Sequence, residues 1–366
     1  MIALVLVLAV LLGYANGAND VSRGIATLVG SGVTNFRRAV IWGTLWTLAG
    51  GLAAAVVSQG LIATFSGKGF LAQSDGSPAY LGAVAAGAMI WVLLAARLGL
   101  PVSTTHSIVG ALAGAAIAAH GWQSIQWAFV AKKVSVPLLL SPALSLALLY
   151  LVFPLLRPVL ARVNDYCLCI ERRRLAVAAP AGLAFSESLP ASAIIAPGQD
   201  CEAPSIAGRL NLVDGLHWFS AGLTSFARAL NDTPKIVALG IAASAVLGAS
   251  SFSMFAGIAL AMALGSLIAG FRVTETLACR VTPMSPIEGF SANAVTSLLV
   301  GSASTFGLPV STTHVSSGAI IGIGLHRGAG ALQWATVREM ALAWLVTVPA
   351  GAVIGATAHV LLRQLS

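Results

Sequence analysis

The chain has 366 residues, of which 57% are apolar and only 9% are charged, against about 25% in ordinary soluble proteins. That balance, with 38 glycines, excludes a water-soluble globular domain. The net charge of +8 reads as the cytoplasmic bias of Lys and Arg in membrane proteins, so no nucleic-acid partner is expected. Four cysteines (Cys167, Cys169, Cys201, Cys279) are too few and too scattered for a zinc site, and unpaired thiols are expected. No catalytic residue, cofactor or resident metal is read from the chain.

In chain order, the apolar start at Met1 lacks a basic leader and ends in the polar run NGAND. It is expected to be the first membrane helix rather than a signal peptide. Apolar runs long enough for a bilayer core of ~30 Å follow at 40–62, 80–96, 134–153, 252–270 and 341–362. Residues 157–211 differ in character. They hold three consecutive arginines at 172–174, five prolines and no long apolar run, and are expected to form a soluble cytoplasmic loop, either a linker or a docking place for a regulatory partner. The flanks, 1–156 and 212–366, are expected to be two membrane repeats.

Two motifs carry the repeat. LPVSTTH stands at 100–106 and again, unchanged, at 308–314, and an Asn-Asp pair stands at Asn19-Asp20 and Asn231-Asp232. The pair precedes the heptad's proline by 82 residues (101 − 19) in the first half and by 78 (309 − 231) in the second. Two motifs in one order at nearly equal spacing mark a duplicated unit. With the central loop in the cytoplasm and five crossings per half, most basic residues outside the membrane fall inside, and only Lys68, Lys132, Lys133 and Arg363 fall outside. An odd number of crossings inverts the second repeat. The expected fold is therefore an all-α polytopic membrane protein with two inverted repeats of about five segments each. Its broken helices would meet at the midplane, the plan of many secondary transporters. Gly13 and Gly17 before the first Asn-Asp pair, and Pro101 and Pro309 in the heptads, are the expected break points.

The heptad's chemistry suits an anion. A proline ends one segment, and Ser103, Thr104 and Thr105, or Ser311, Thr312 and Thr313, open the next helix, whose first backbone N–H groups lack partners. Those groups, the helix dipole and three hydroxyls make two sets of donors able to grip one small oxyanion from opposite sides. The alternative is that the hydroxyls only cap helices. For His106 and His314 three roles stay open: binding the anion, relaying a proton, or satisfying a backbone carbonyl. Asp20 and Asp232 are intramembrane carboxylates, which are costly and by default functional. Beside an anion they imply a cation or proton between, so they are candidate ion-coupling residues. Salt bridges to Arg23 and Lys235, each three residues on, are the alternative. Either cation, fixed near the midplane, could also take the place of a bound ion.

GANDV, PVSTTH and the run FRVTETLACRVTPMSPIEGFSANAV together resemble the inorganic phosphate transporter (PiT) family, over about 300 residues in both halves. The resemblance implies a multi-pass protein of the cytoplasmic membrane, often a homodimer in the lipid bilayer, moving inorganic phosphate with sodium or protons. It implies substrate binding by Ser103, Thr104, Thr105, Ser311, Thr312, Thr313, Asn19 and Asn231, and ion coupling by Asp20 and Asp232. Two departures bear on coupling. Sodium-coupled members usually continue GANDVAN where this chain has GANDVSR, and often carry a glutamate in the second helix, near the place held here by Trp46. The second half keeps Glu275 and Glu288. Protons are therefore expected ahead of sodium. Sulfate carriers on the same scaffold leave the oxyanion open.

Overall fold

The computed structural model describes residues 1–57, 59–66, 70–72, 75–171, 174–178, 184–188, 192–199 and 206–365. Lys68, Arg172, Arg173 and Cys201 lie outside the described residues. In the first half, α1 (Ile2–Asp20) and α2 (Ser22–Gly30) are followed by α3 (Phe36–Val57), the short α4 (Gln59–Phe65), α5 (Pro78–Arg97) and α6 (Thr104–His120). Then α7 (Trp127–Phe129) leads through a π-helical turn, Val130–Ser135, into α8 (Val136–Asn164). The second half repeats the series: α9 (Leu212–Val246), α10 (Ser251–Ala269), the short α11 (Phe271–Cys279), α12 (Pro286–Thr305), α13 (Thr312–Arg327) and α14 (Trp334–Arg363).

Six helical stretches among the described residues are long and apolar enough to cross a membrane: 2–30, 36–57, 78–97, 127–164, 251–269 and 334–363. Each of the apolar runs read from the sequence falls on one of them. The 35 residues of α9 suffice in length but carry Asp214, Arg228, Asp232 and Lys235. By contrast, α6 and α13 have 17 and 16 residues, a rise of about 25 Å.

The halves interlock. Helix α6 packs along α14 of the second half, and α13 packs along α8 of the first. Likewise α1 lies on α10, and α3 on α9. Gly17 allows one such crossing, because a Cβ there would stand 1.9 Å from the Met262 carbonyl oxygen. Gly50 does the same on α3, where a Cβ would stand 2.3 Å from the Phe226 carbonyl oxygen. These glycines let each helix that carries an Asn-Asp pair pack closely on a helix of the other half.

Three expectations need correction. At the first Asn-Asp pair the break is confined to Val21, where α1 gives way to α2, and at the second pair there is none. Val21 keeps right-handed helical angles (φ −55°, ψ −33°) and its N–H still donates to the Gly17 carbonyl. Asn231 and Asp232 lie inside the continuous α9, although Pro234 removes the N–H that would bond the Leu230 carbonyl. The heptads carry longer interruptions, between Arg97 and Thr104 and between Thr305 and Thr312. Second, the central segment, expected as a soluble loop, contains strands. It holds β1 (Tyr166–Glu171), β2 (Arg174–Ala178), β3 (Ala184–Ser188), β4 (Ser192–Pro197) and β5 (Ile206–Asn211). They form an antiparallel sheet in the order β4-β1-β5 and a β2-β3 hairpin, while α8 runs to Asn164, past the boundary expected at 156. The strand-favouring Tyr166 and Ile170 in the short apolar run YCLCIE were the available signal. Third, Cys169 is disulfide-bonded rather than a thiol.

Candidate functional site

The heptads build two helix starts that face each other. Ser103 caps α6 by accepting from the His106 N–H at 3.2 Å, and Ser311 caps α13 by accepting from the His314 N–H at 3.2 Å. The second threonine of each copy reaches across to the other half. Thr313 Oγ1 donates to the Val102 carbonyl at 2.8 Å, and Thr105 Oγ1 donates to the Val310 carbonyl at 3.4 Å. All six hydroxyl residues are buried.

Around this junction the two fixed cations occupy matching surroundings. Arg23 Nη2 donates to Asn19 Oδ1 (2.7 Å), Asp20 Oδ1 (3.1 Å), the Val102 carbonyl (3.3 Å) and Thr313 Oγ1 (3.1 Å). Lys235 Nζ donates to Asn231 Oδ1, Asp232 Oδ1 (3.0 Å), the Val310 carbonyl (3.2 Å) and Thr105 Oγ1 (2.6 Å). Each nitrogen thus sits in a cradle of four oxygens: an amide, a carboxylate, a heptad valine carbonyl and the threonine of the opposite half. The spacing that makes this possible is helical, since the asparagine and aspartate lie four and three residues before the cation, on one face. Arg23 and Lys235 are each 1% exposed, so neither reaches solvent or an interface from a helix end.

Two residues that the sequence reading left unassigned tie the cradles together. Asn16 Nδ2 donates to Asp20 Oδ2 (2.8 Å), Asp232 Oδ2 (3.2 Å) and Thr104 Oγ1 (3.0 Å), and Thr104 in turn donates to Asp20 Oδ2 (3.2 Å). Arg228 Nη1 donates to Asn16 Oδ1 at 3.0 Å, and its Nη2 to Thr47 Oγ1 at 2.6 Å. Asn16 and Arg228 are equivalent positions, each four residues before its aspartate. A polar residue at i−4 on the aspartate's own helical face was the signal that could have found both.

The remaining candidates divide. Asn19 Nδ2 donates to the Leu100 carbonyl and Asn231 Nδ2 to Ser304 Oγ, both at 3.0 Å, so these amides hold the cradles to the heptad regions. Thr312, unlike Thr104, makes no hydrogen bond among the described residues. The His106 and His314 rings meet edge to face with centroids 4.5 Å apart. Neither Nδ1 has a partner there, so the carbonyl contact among their open roles is not made at that atom. Trp46 packs among Trp42, Phe219 and Phe226, and its neighbour Thr47 is the residue that reaches Arg228. Glu288 is committed elsewhere, capping α12 through Ser285 and bonding Arg327 Nε at 2.6 Å. Glu275 is half-buried, near Arg280. The second half therefore keeps no carboxylate at its cradle beyond Asp232 among the described residues.

The sequence signature of the phosphate transporter family matches residues 16–355. The chain belongs to the phosphate transporter family. Like other members it is an integral, multi-pass membrane protein. It is 26% identical to a probable low-affinity inorganic phosphate transporter of Rhizobium meliloti (strain 1021), over 96% of this chain and 93% of that one. A probable low-affinity inorganic phosphate transporter of Bacillus subtilis (strain 168) is also 26% identical, over 99% and 97%. A solved structure described as the sodium-dependent phosphate transporter superposes with a TM-score of 0.77 at 20% identity, over 100% of this chain and 99% of that one. That likeness is one of fold.

Proposed function

We propose that this family member carries inorganic phosphate across the membrane as a secondary transporter without bound sodium, because Arg23 and Lys235 hold the places of coupling cations. The observation that carries this is the pair of four-oxygen cradles, each filled by a nitrogen of the chain itself. An amide, a carboxylate, a backbone carbonyl and a hydroxyl are the hard oxygen donors that suit a small cation. Here they solvate a guanidinium and an ammonium that cannot leave.

The anion binds between the starts of α6 and α13. Ser103 and Ser311 accept a backbone N–H with their oxygens, which leaves their O–H hydrogens and that of Thr312 as donors; Thr104, Thr105 and Thr313 frame the same space. The halves work as inverted repeats, which their matching element series and reciprocal packing favour. Protons, travelling on the anion or on Asp20 or Asp232, are then the coupling ion.

Uptake of labelled phosphate by proteoliposomes tests this reading, with sodium replaced by potassium or choline and with sulfate as competitor. Uptake that persists without sodium and responds to a pH gradient is expected. A strict sodium requirement would remove the fixed-cation reading. Stronger competition by sulfate than by unlabelled phosphate would reassign the substrate.

A further inference from the structure

Two carboxylates and three cations are buried together at the junction of the halves. Arg23 pairs with Asp20, and Lys235 with Asp232, one charge against one. Arg228 is left over. It is 1% exposed and makes no ion pair among the described residues. Its two terminal nitrogens bond the neutral oxygens of Asn16 and Thr47, and its Nε has no partner. A guanidinium stays charged in any protein, and a buried charge without a counter-charge is costly. With both carboxylates ionised, the centre carries one positive charge that the chain does not neutralise.

This surplus lies against the proposed anion site. Arg228 holds Asn16, and Asn16 holds Thr104, the first helical residue of α6. In a carrier whose cations arrive and leave with the anion, the loaded and empty centres can both be near neutral. Here the three side-chain cations are covalently tethered, and a coupling proton leaves with the anion. The loaded centre balances one negative charge of the anion, and the empty centre keeps a bare charge in apolar surroundings.

We propose that the chain is an anion exchanger, in which Arg228 makes the empty carrier slow to reorient and a bound oxyanion releases it. The inference rests on the phosphate reading above and adds a mode of turnover to it. Phosphate entering from one side is exchanged for phosphate, or another small oxyanion, from the other. Net entry into an anion-free compartment lags because the return step must bring the bare charge back through the closed state.

The test uses the purified full chain in proteoliposomes with the membrane potential clamped at zero. Initial entry of labelled phosphate is compared between vesicles preloaded with unlabelled phosphate and vesicles free of it. Entry at least about tenfold faster into preloaded vesicles is expected, a difference of roughly 1.4 kcal/mol in the limiting barrier. Arg228→Gln keeps donors for Asn16 and Thr47 but removes the charge, and should bring the two rates together. Thr47→Asp adds a carboxylate beside Arg228 Nη2 without removing the Asn16 amide that donates to Asp20 and Asp232, and should do the same by another route, even if Arg228→Gln fails to fold. Equal rates in the unmodified protein would overturn the exchange proposal and leave the phosphate reading standing. A tenfold ratio that survives in either variant would overturn the role given to Arg228. Absence of phosphate entry in both modes would overturn the phosphate reading itself.

Discussion

The Arg23 and Lys235 cradles place the same four kinds of oxygen around chemically different cations. An ammonium has three N–H bonds on a compact centre and can turn to serve oxygens on several sides. One terminal guanidinium nitrogen has only two, fixed in a plane, yet Arg23 Nη2 also lies within hydrogen-bonding distance of four oxygens. Two hydrogens cannot point at four acceptors. The oxygens are therefore disposed as around a point charge and not by the donor directions of arginine. The arrangement belongs to the Asn-Asp pair and the heptads, and the cation is what differs.

The severest way to break this comparison is to empty a cradle. Arg23→Ala or Lys235→Ala strands a buried carboxylate and should cost about 3–5 kcal/mol, read as a lower melting temperature in detergent. Because the vacated oxygens suit a free cation, the Lys235→Ala protein should regain stability with sodium chloride but not with choline chloride. Equal response to the two salts would show that the cradle is not an ion site.

Next in size is the contrast between Thr104, which bonds Asp20 and Asn16, and its unpartnered counterpart Thr312. Thr104→Val and Thr312→Val should each weaken phosphate transport about ten- to a hundredfold, by the ~1.5–3 kcal/mol of one hydrogen bond to a charged group. Only Thr104→Val should also lower the melting temperature. Unchanged half-saturation in both variants would remove the anion site from the heptads.

Exchanging the cations sharpens the comparison further. Arg23→Lys places a compact ammonium in an arrangement that accepts one, so little change in stability is expected. Lys235→Arg forces extra atoms into a filled space near the Phe65 ring, 5.9 Å from Nζ, and should cost about 1–3 kcal/mol. Thermal melts of the two variants would invert the argument if Arg23→Lys proved the worse.

The smallest expected effect lies where the halves tie down the far ends of their short helices. In the first half His120 meets Asp75 at 2.8 Å, and in the second Arg327 meets Glu288. Burial would raise the Asp75 carboxyl, but hydrogen bonds from Ser77 and His120 outweigh it and hold the group below the usual carboxylate range. A depressed carboxylate contributes stability above its unfolded value of about 3.9 and loses it as pH falls through the folded value. His120→Gln should therefore reduce stability at neutral pH by at most ~1 kcal/mol, and the deficit should vanish on strong acidification. A deficit that persisted after the carboxylate is protonated would contradict the pairing.

The sequence was most legible where chemistry is written as contiguous motif. LPVSTTH announced two helix starts, and the i, i+3 spacing from Asp20 to Arg23 and from Asp232 to Lys235 named both ion pairs. It was less legible where distance in the chain is long. Nothing local in Asn16 says that it bonds Asp232, 216 residues away, or that Thr105 serves Lys235 rather than its own half. The predicted break at the first Asn-Asp pair shrank to Val21, and the one at the second did not form, for a physical reason. Gly17 is there to admit the backbone of α10, and a helix can stay helical through such a contact. The strands after α8 were missed because arginines and prolines outweighed the short apolar run YCLCIE.

The crossed packing of α6 on α14 and of α13 on α8 bears on how the molecule is made. During synthesis α6 emerges more than two hundred residues before its main neighbour, and the carbonyl of Pro101 waits for the indole N–H of Trp344, which it accepts at 2.9 Å. Until then the α6 face where Gly110 and Gly114 admit α14 is open, and the Arg23–Asp20 pair lacks the Thr313 hydroxyl, a long-range dependence of the kind that slows folding. The nascent first half should accordingly be a client for membrane chaperones, and the ribosome must nearly finish the chain before the site near its beginning can close.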